Sequence, residues 1–194
     1  CRGGVGNLSF FDPDEVSETN INRQLVALHS TIGKNKAAVM KERALDINPD
    51  ARITVHPVFY SAENAKDYPL TAYDFIVDCI DTVSSKLLLI ETAHKEQVPI
   101  ISALGAGNKM DPTAFKVADI YDTKVCPLAP ALRRKLKKMG LPQHLVVYSE
   151  EPPLAPFDIL EENGRHLPGS LSFVPPVMGM ILAGEAIKRI LSTP

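Results

Sequence analysis

Residues 75–81 read Phe-Ile-Val-Asp-Cys-Ile-Asp, an apolar run that ends in acid, and a helical stretch over 84–96 follows at once. Pro99-Ile100-Ile101-Ser102, a second apolar run, comes directly after it. A run without polar alternation is a strand covered on both faces, which is the environment of a parallel sheet. Strand, helix and strand in that order make a βαβ unit, so the chain is predicted to be an α/β protein built on a parallel sheet. Residues 7–11, Asn-Leu-Ser-Phe-Phe with a glycine just before, read as a further buried strand, and it ends on Asp12. An acid at the carboxyl end of a parallel strand sits where open α/β sheets bind ligands. With 194 residues, 45% of them hydrophobic and 23% charged, the chain suits one compact domain with a sizeable core.

Beyond the first strand comes Asp12-Pro13-Asp14-Glu15-Val16-Ser17-Glu18-Thr19-Asn20-Ile21-Asn22-Arg23-Gln24. Asn20, Asn22, Arg23 and Gln24 bring amide and guanidinium donors with no nearby acid to pair with, which suits an anion. On the residues alone, Asp12 and Asp14 could equally begin a turn and Arg23 could be a solvated charge. The pattern D-x-D-x-V-x-x-[ST]-N-x-x-R-Q is unbroken, and it resembles the nucleotide motif of the adenylating ThiF, MoeB and HesA superfamily, which includes the ubiquitin-activating enzymes.

That resemblance implies a Rossmann-like, doubly wound, largely parallel sheet with helices on both faces, and ATP with magnesium as cofactors. It places the ATP ribose on Asp12 and the phosphates on Asn20 and Arg23, with Thr19 and Asn22 in the same motif. A carboxylate can accept both ribose hydroxyls, and a planar guanidinium grips phosphate oxygens at two points. The superfamily's phosphate-binding lysine, thirteen residues after the arginine, falls on Lys36. Asp78-Cys79-Ile80-Asp81-Thr82-Val83 resembles the superfamily's D-x-x-D-[NS]-x, in which the second acid, here Asp81, binds magnesium with Thr82 beside it. One or two carboxylates suffice for a magnesium that also takes phosphates and water. Arg23, Lys36 and Asp81 are the expected catalytic set; they act by positioning and charge neutralisation, since no proton-moving side chain stands out. Asp78, inside the apolar run, reads equally as a structural acid.

Elsewhere, residues 33–48 carry Ala37, Met40, Ala44 and Ile47 at helical spacing, with Lys34 and Lys36 expected in the first turn, against the helix dipole. Residues 52–58 alternate as a strand, 61–65 suggest a short capped helix, and 115–120 a strand. The glycine-rich loop 104–112 is a plain turn or, by resemblance, part of the acceptor pocket and dimer contact. Residues 129–138 form a basic helix with Arg133, Arg134, Lys135, Lys137 and Lys138, a solvated face or a nucleic-acid contact on a chain of net charge -2. Residues 150–168, proline-rich and acidic, read as a crossing loop. A helix over 178–191, after a closing motif at 170–176, is interrupted by Glu185, Lys188 and Arg189; it is too short an apolar run to span a bilayer and belongs in the core or a dimer interface.

The glycines of Cys1-Arg2-Gly3-Gly4-Val5-Gly6 precede a strand, whereas a phosphate-cradling glycine loop follows one. The expectation is a single ThiF-type adenylating domain over 1–194 that lacks its first strand, glycine-rich loop and first helix. Cys1, Cys79 and Cys126 cannot close a disulfide framework, and with no signal peptide in view a reducing, cytoplasmic setting is expected.

Sulfur-carrier-activating members commonly hold a structural zinc on two Cys-x-x-Cys pairs; this chain has neither pair, so no structural zinc is expected. Residues 105–113, with Val117-Ala118-Asp119 and Pro127-Leu128-Ala129 before the basic helix, resemble the tRNA-modifying branch of the superfamily. The implied reaction is adenylation of the threonyl carboxylate of threonylcarbamoyladenosine in tRNA, followed by cyclisation with net loss of water, in a homodimer. The alternatives are adenylation of the C-terminal glycine of a ubiquitin-like or sulfur-carrier protein, with Cys126 as a candidate for its capture, and a non-catalytic ATP-binding scaffold.

Overall fold

A computed structural model describes residues 1–155 and 168–192, which fall into two compact units, Cys1–Tyr60 and Ser61–Pro194.

In the first unit β1 (Asn7–Phe11) pairs in parallel with β2 (Arg52–His56), Asn7 opposite Arg52 and Phe11 opposite His56. Helix α1 (Lys36–Ile47) connects them, so this unit is also βαβ. The β2 strand stops at His56, two residues before the predicted end, because Pro57 has no N–H to give the ladder. The N-cap of α1 is Asn35, whose side chain accepts the Ala38 N–H at 3.0 Å. Lys36 therefore opens the helix, and Lys34, expected in the first turn, lies outside it. Ala37, Val39 and Ala44 are the buried face of α1; Val39 joins Val16, Val26 and Ala27 in one cluster, and Ala44 joins Ala51 and Ile53 in another.

The second unit holds a four-stranded sheet in the order β3 (Ile76–Asp78), β4 (Ile100–Ala103), β6 (Leu145–Ser149), β5 (Phe115–Asp119). The first three run parallel, and β5 runs antiparallel against β6. Helix α2 (Val83–Lys95) is the crossover from β3 to β4, α3 (Ala129–Lys138) follows β5, and α4 (Val174–Ser192) comes last.

Three expectations change here. The run 75–81 is strand only to Asp78, because the Asp78 carboxylate accepts the Ile80 N–H at 2.9 Å and turns the chain out of the sheet. Residues 61–65 are a turn, in which Asn64 Oδ1 accepts the Ser61 N–H, and only single 3₁₀ turns follow at Ala65–Asp67 and Leu70–Ala72, since Pro69 interrupts. Strand β6, which the sequence reading does not anticipate, lies inside the sheet.

Helix α4 begins at Val174, earlier than predicted, with Pro175 and Pro176 in the first turn, where missing N–H groups do no harm. Its buried residues, Val174, Met178, Leu182 and Ala186, recur every fourth position, and the first three pack with Ile101, Phe115 and Val147. Ser102, one residue on from Ile101, faces the other side of the sheet, where α2 lies: His144 Nε2 and Ser102 Oγ are 2.8 Å apart, and His94 of α2 reaches His144 Nδ1 at 3.2 Å. Helices therefore cover both faces of this sheet. Among the described residues no helix is long and apolar enough to cross a membrane.

Burial, with His94 and Lys86 nearby, pushes the His144 imidazole down to about 3. The unfolded chain protonates this group near its ordinary value of 6.5 while the fold holds it neutral, so its contribution is complete above pH 6.5 and declines as pH falls toward 3. Between pH 7 and 5, above most carboxylate titrations, the wild type should lose more stability in urea melts than His144→Gln. Equal losses would show that the imidazole is not held neutral.

Candidate functional site

In the first unit, residues 12–16 run alongside 33–36. Val16 N–H donates to Lys34 O, Gly33 N–H to Val16 O and Lys36 N–H to Asp14 O, while Asn35 Nδ2 donates to Asp12 O at 2.9 Å. Gly33 has a φ of +81°, a left-handed conformation that a side chain would strain. Buried Val16 anchors the stretch, which fixes Asp12 and Asp14 just past the carboxyl end of β1. Asp12 Oδ1 accepts the Asp14 N–H, so these residues do begin a turn, one of the two readings that their types allow.

Asn20 is buried, and its Oδ1 accepts the Ser17 N–H at 3.2 Å, closing the turn that displays Thr19 and Asn22. Ser17 Oγ and Thr19 Oγ1 are 2.9 Å apart. Arg23 Nη1 donates to Thr19 O at 3.1 Å and to Asn22 Oδ1 at 2.8 Å; among the described residues it has no ion pair. The guanidinium is thus oriented by neutral oxygens that do not cancel its charge. Lys36, by contrast, has an acid partner: its Nζ lies 2.8 Å from Asp14 Oδ2. The Asp14 side chain is 63% exposed whereas that of Lys36 is 13% exposed, so the carboxylate is the water-facing partner of the pair and the one that an incoming anion would replace.

In the second unit, Asp81 is exposed in the link between β3 and α2, and its Oδ1 accepts the Thr82 hydroxyl at 3.2 Å. Asp78 is the structural acid of the two: it is buried, with Lys86 Nζ 2.6 Å from its Oδ2. Arg133, grouped by sequence with the other cations of α3, is occupied inside: Nη1 donates to Thr123 O at 2.6 Å and to Thr123 Oγ1 at 2.8 Å. Arg134, Lys135, Lys137 and Lys138 lie further out on the helix, and Lys135 and Lys138 border a groove floored by Leu87, Leu88 and Met139. Cys126 is buried, which does not suit a capture nucleophile.

The sequence pattern does not reveal what the glycine-rich loop does. Asn108, at φ 56°, exchanges hydrogen bonds with Gly169 (Asn108 N–H to Gly169 O, Gly169 N–H to Asn108 Oδ1), and its own O accepts the Leu154 N–H. The Glu151 carboxylate accepts N–H groups of Met110 and Asp111, and buried Lys109, its amine pushed down by burial, donates to Glu151 O. Residues 105–111 therefore fasten both 151–154 and 168–169. The crossing loop expected at 150–168 lies in part, over 156–167, outside the described residues.

An open α/β arrangement with oriented cations and acids past the carboxyl ends of parallel strands defines a protein of the nucleotide-handling α/β class. The family model described as "ThiF family" matches residues 1–194, and the chain belongs to the ThiF family. It is similar to the tRNA threonylcarbamoyladenosine dehydratase of Bacillus subtilis, 37% identical over 202 residues that cover 98% of this chain and 80% of the relative. The Escherichia coli dehydratase is 40% identical over 137 residues, 71% of this chain and 51% of the relative, so the chain spans about half of that relative in sequence. The solved structure of the E. coli enzyme, TcdA, with AMP matches at a TM-score of 0.86 and 33% identity, covering 97% of this chain and 77% of that one. The same enzyme has been solved with ATP, and it matches equally well, at a TM-score of 0.86.

A Cβ built on Gly107 would lie 2.9 Å from Pro168 Cβ, whereas one on Gly105 meets nothing within 4 Å. Gly107→Ala should therefore destabilise the protein by about 1–3 kcal/mol in thermal or urea unfolding. Gly105→Ala should leave stability within about 0.5 kcal/mol of wild type.

Proposed function

We propose that this chain is an ATP-dependent adenylating enzyme that activates the threonyl carboxylate of threonylcarbamoyladenosine in tRNA and then lets the modified base close into a ring with net loss of water. The observation that carries the reading is the arrangement after β1, with Arg23 held by neutral oxygens alone and Lys36 paired only with an exposed acid, which suits an anion. Support for the substrate comes from relatives along nearly the whole chain that are named for this reaction, and support for ATP from the AMP- and ATP-bound structures of TcdA.

In the first step the substrate carboxylate attacks the α-phosphorus of ATP; a P–O bond forms, the bond to the β-phosphate breaks, and pyrophosphate leaves. In the second, a nitrogen of the modified base attacks the acyl carbon and AMP departs with one former carboxylate oxygen, which is the water formally lost. Arg23 and Lys36 would take phosphate oxygens and offset the charge that builds on the leaving group. Asp12 would accept the ribose hydroxyls, with Asn20 holding the turn that presents Thr19, Asn22 and Arg23.

Asp81 and Thr82 are the residues that would hold a magnesium ion: Asp81 offers an exposed, hard carboxylate oxygen with the Thr82 hydroxyl against it. Magnesium bound there would supply Lewis-acid polarisation of phosphate oxygens. Homodimerisation is part of the proposal, supported by Met180 and Leu191 standing exposed on α4.

The test is mass spectrometry of tRNA nucleosides after incubation of the protein with ATP, magnesium and threonylcarbamoyl-modified tRNA. The expected result is loss of one water from the modified adenosine, and about a hundredfold less product with Asp81→Ala at unchanged stability. An unchanged nucleoside alongside an adenylated carrier-protein terminus would move the assignment to carrier activation.

The outward cations of α3 carry a second expectation. Neutralising a phosphate releases counterions, so tRNA binding should weaken steeply with salt. Arg134→Glu with Lys137→Glu should reduce the slope of log Kobs against log salt by about one for each phosphate that is no longer neutralised. An unchanged slope would remove α3 from the tRNA surface.

A further inference from the structure

We propose that the buried Asp78 and Lys86 are a positioning pair whose task is to hold Asp81 and Thr82 in their working geometry. The inference rests on the proposed role of Asp81 as the magnesium carboxylate.

Four residues, 79–82, join β3 to α2, and Lys86 closes that link from both ends. Its backbone N–H donates to Thr82 O at 3.0 Å, the first hydrogen bond of the helix. Its side chain reaches back across the link to Asp78 Oδ2 at 2.6 Å, and this fixes the carboxylate so that Oδ1 accepts the Ile80 N–H at 2.9 Å. The ammonium also donates to Ala103 O at 3.0 Å, which ties the link to the end of β4, where the glycine-rich loop begins. One cation thus sets the β3 end, the Asp81 turn, the α2 start and the β4 end against one another.

Stability alone is a poor reason for such a pair. The side chains are 1% and 0% exposed, so both charges are stripped of water. Replacing a buried pair with apolar residues of similar size is often neutral or stabilising. A lysine in the first turn of a helix also opposes the dipole. What an apolar pair could not supply is the acceptor for Ile80 and the bridge to Ala103. The Asp81 carboxylate is steadied by the hydroxyl of its own neighbour, Thr82, so the course of the backbone through 79–82 decides where both side chains point.

The experiment measures manganese, as a paramagnetic stand-in for magnesium, binding to the protein complexed with a non-hydrolysable ATP analogue, by electron paramagnetic resonance. Asp78→Leu with Lys86→Met removes the pair without leaving a lone charge. Asp78→Asn with Lys86→Met keeps an acceptor for Ile80 but loses the bridge. With thermal midpoints near wild type, the first variant should bind manganese about tenfold more weakly or worse, and the second severalfold more weakly. A folded variant of either kind with wild-type metal affinity would overturn the proposal, and if the leucine variant fails to fold, the asparagine variant decides. In the wild type the Ile80 amide should be protected from hydrogen exchange; rapid exchange would overturn the proposal without any variant. Asp81→Ala separates the two claims: wild-type manganese binding there would refute the role of Asp81 itself.

Discussion

The second unit depends on one buried interaction, the contact between Asp78 and Lys86. A parallel strand ending in a carboxylate must either release that carboxylate to water or give it a partner inside, and here the partner is a lysine that is itself inaccessible. Two desolvated charges tolerate little misalignment, because losing either one strands the other. The strand therefore ends at Asp78, the chain turns at Ile80, and the next acid, Asp81, emerges into solvent at the start of α2. Two acids three residues apart take opposite roles because one has a buried cation and the other a hydroxyl at its edge.

The first unit handles charge in the opposite way. Arg23 is oriented by a backbone carbonyl and an amide oxygen, neither of which cancels its charge, and Lys36 is held by a carboxylate that is itself mostly in water. Arg23 is positioned without being neutralised, and Lys36 is paired only with an acid that faces water, a combination suited to an anionic ligand. The turn that displays Arg23 is closed locally by Ser17, Thr19 and Asn20, whereas Lys36 is brought to Asp14 by the backbone pairing of 12–16 with 33–36 over buried Val16.

What a sequence can reveal here follows from which interactions are local. The βαβ run from 75 to 102 and the motif from Asp12 to Gln24 are contiguous, so strand, crossover and the turn at Asp12 and Asp14 are legible as patterns. The basic helix is legible to its observed bounds, Ala129–Lys138, because its apolar positions keep a helical period. Glu151 is not legible, since its meaning comes from a loop forty residues earlier that it caps. Nor is the pairing of Lys36 with Asp14, which needs the fold to bring two residues together across 22 positions. Arg133 shows the converse: five cations in one run look equivalent in sequence, and only the fold shows that the carbonyl of Thr123 takes one of them. Strand β6 does carry a usable signal, the apolar run Leu145-Val146-Val147-Tyr148, but it is short and lies between a strongly basic helix and an acidic loop that dominate the pattern around it.

The central claim, activation of a carboxylate on the α-phosphorus of ATP, is tested most directly by following the oxygen. Threonylcarbamoyl-modified tRNA labelled with oxygen-18 in both carboxylate oxygens is incubated with the protein, ATP and magnesium, and the products are read by mass spectrometry. The account predicts one heavy oxygen in AMP, one retained in the cyclised base and none in pyrophosphate. Label appearing in orthophosphate with ADP as the nucleotide product would contradict it, because the carboxylate would then have attacked the γ-phosphorus.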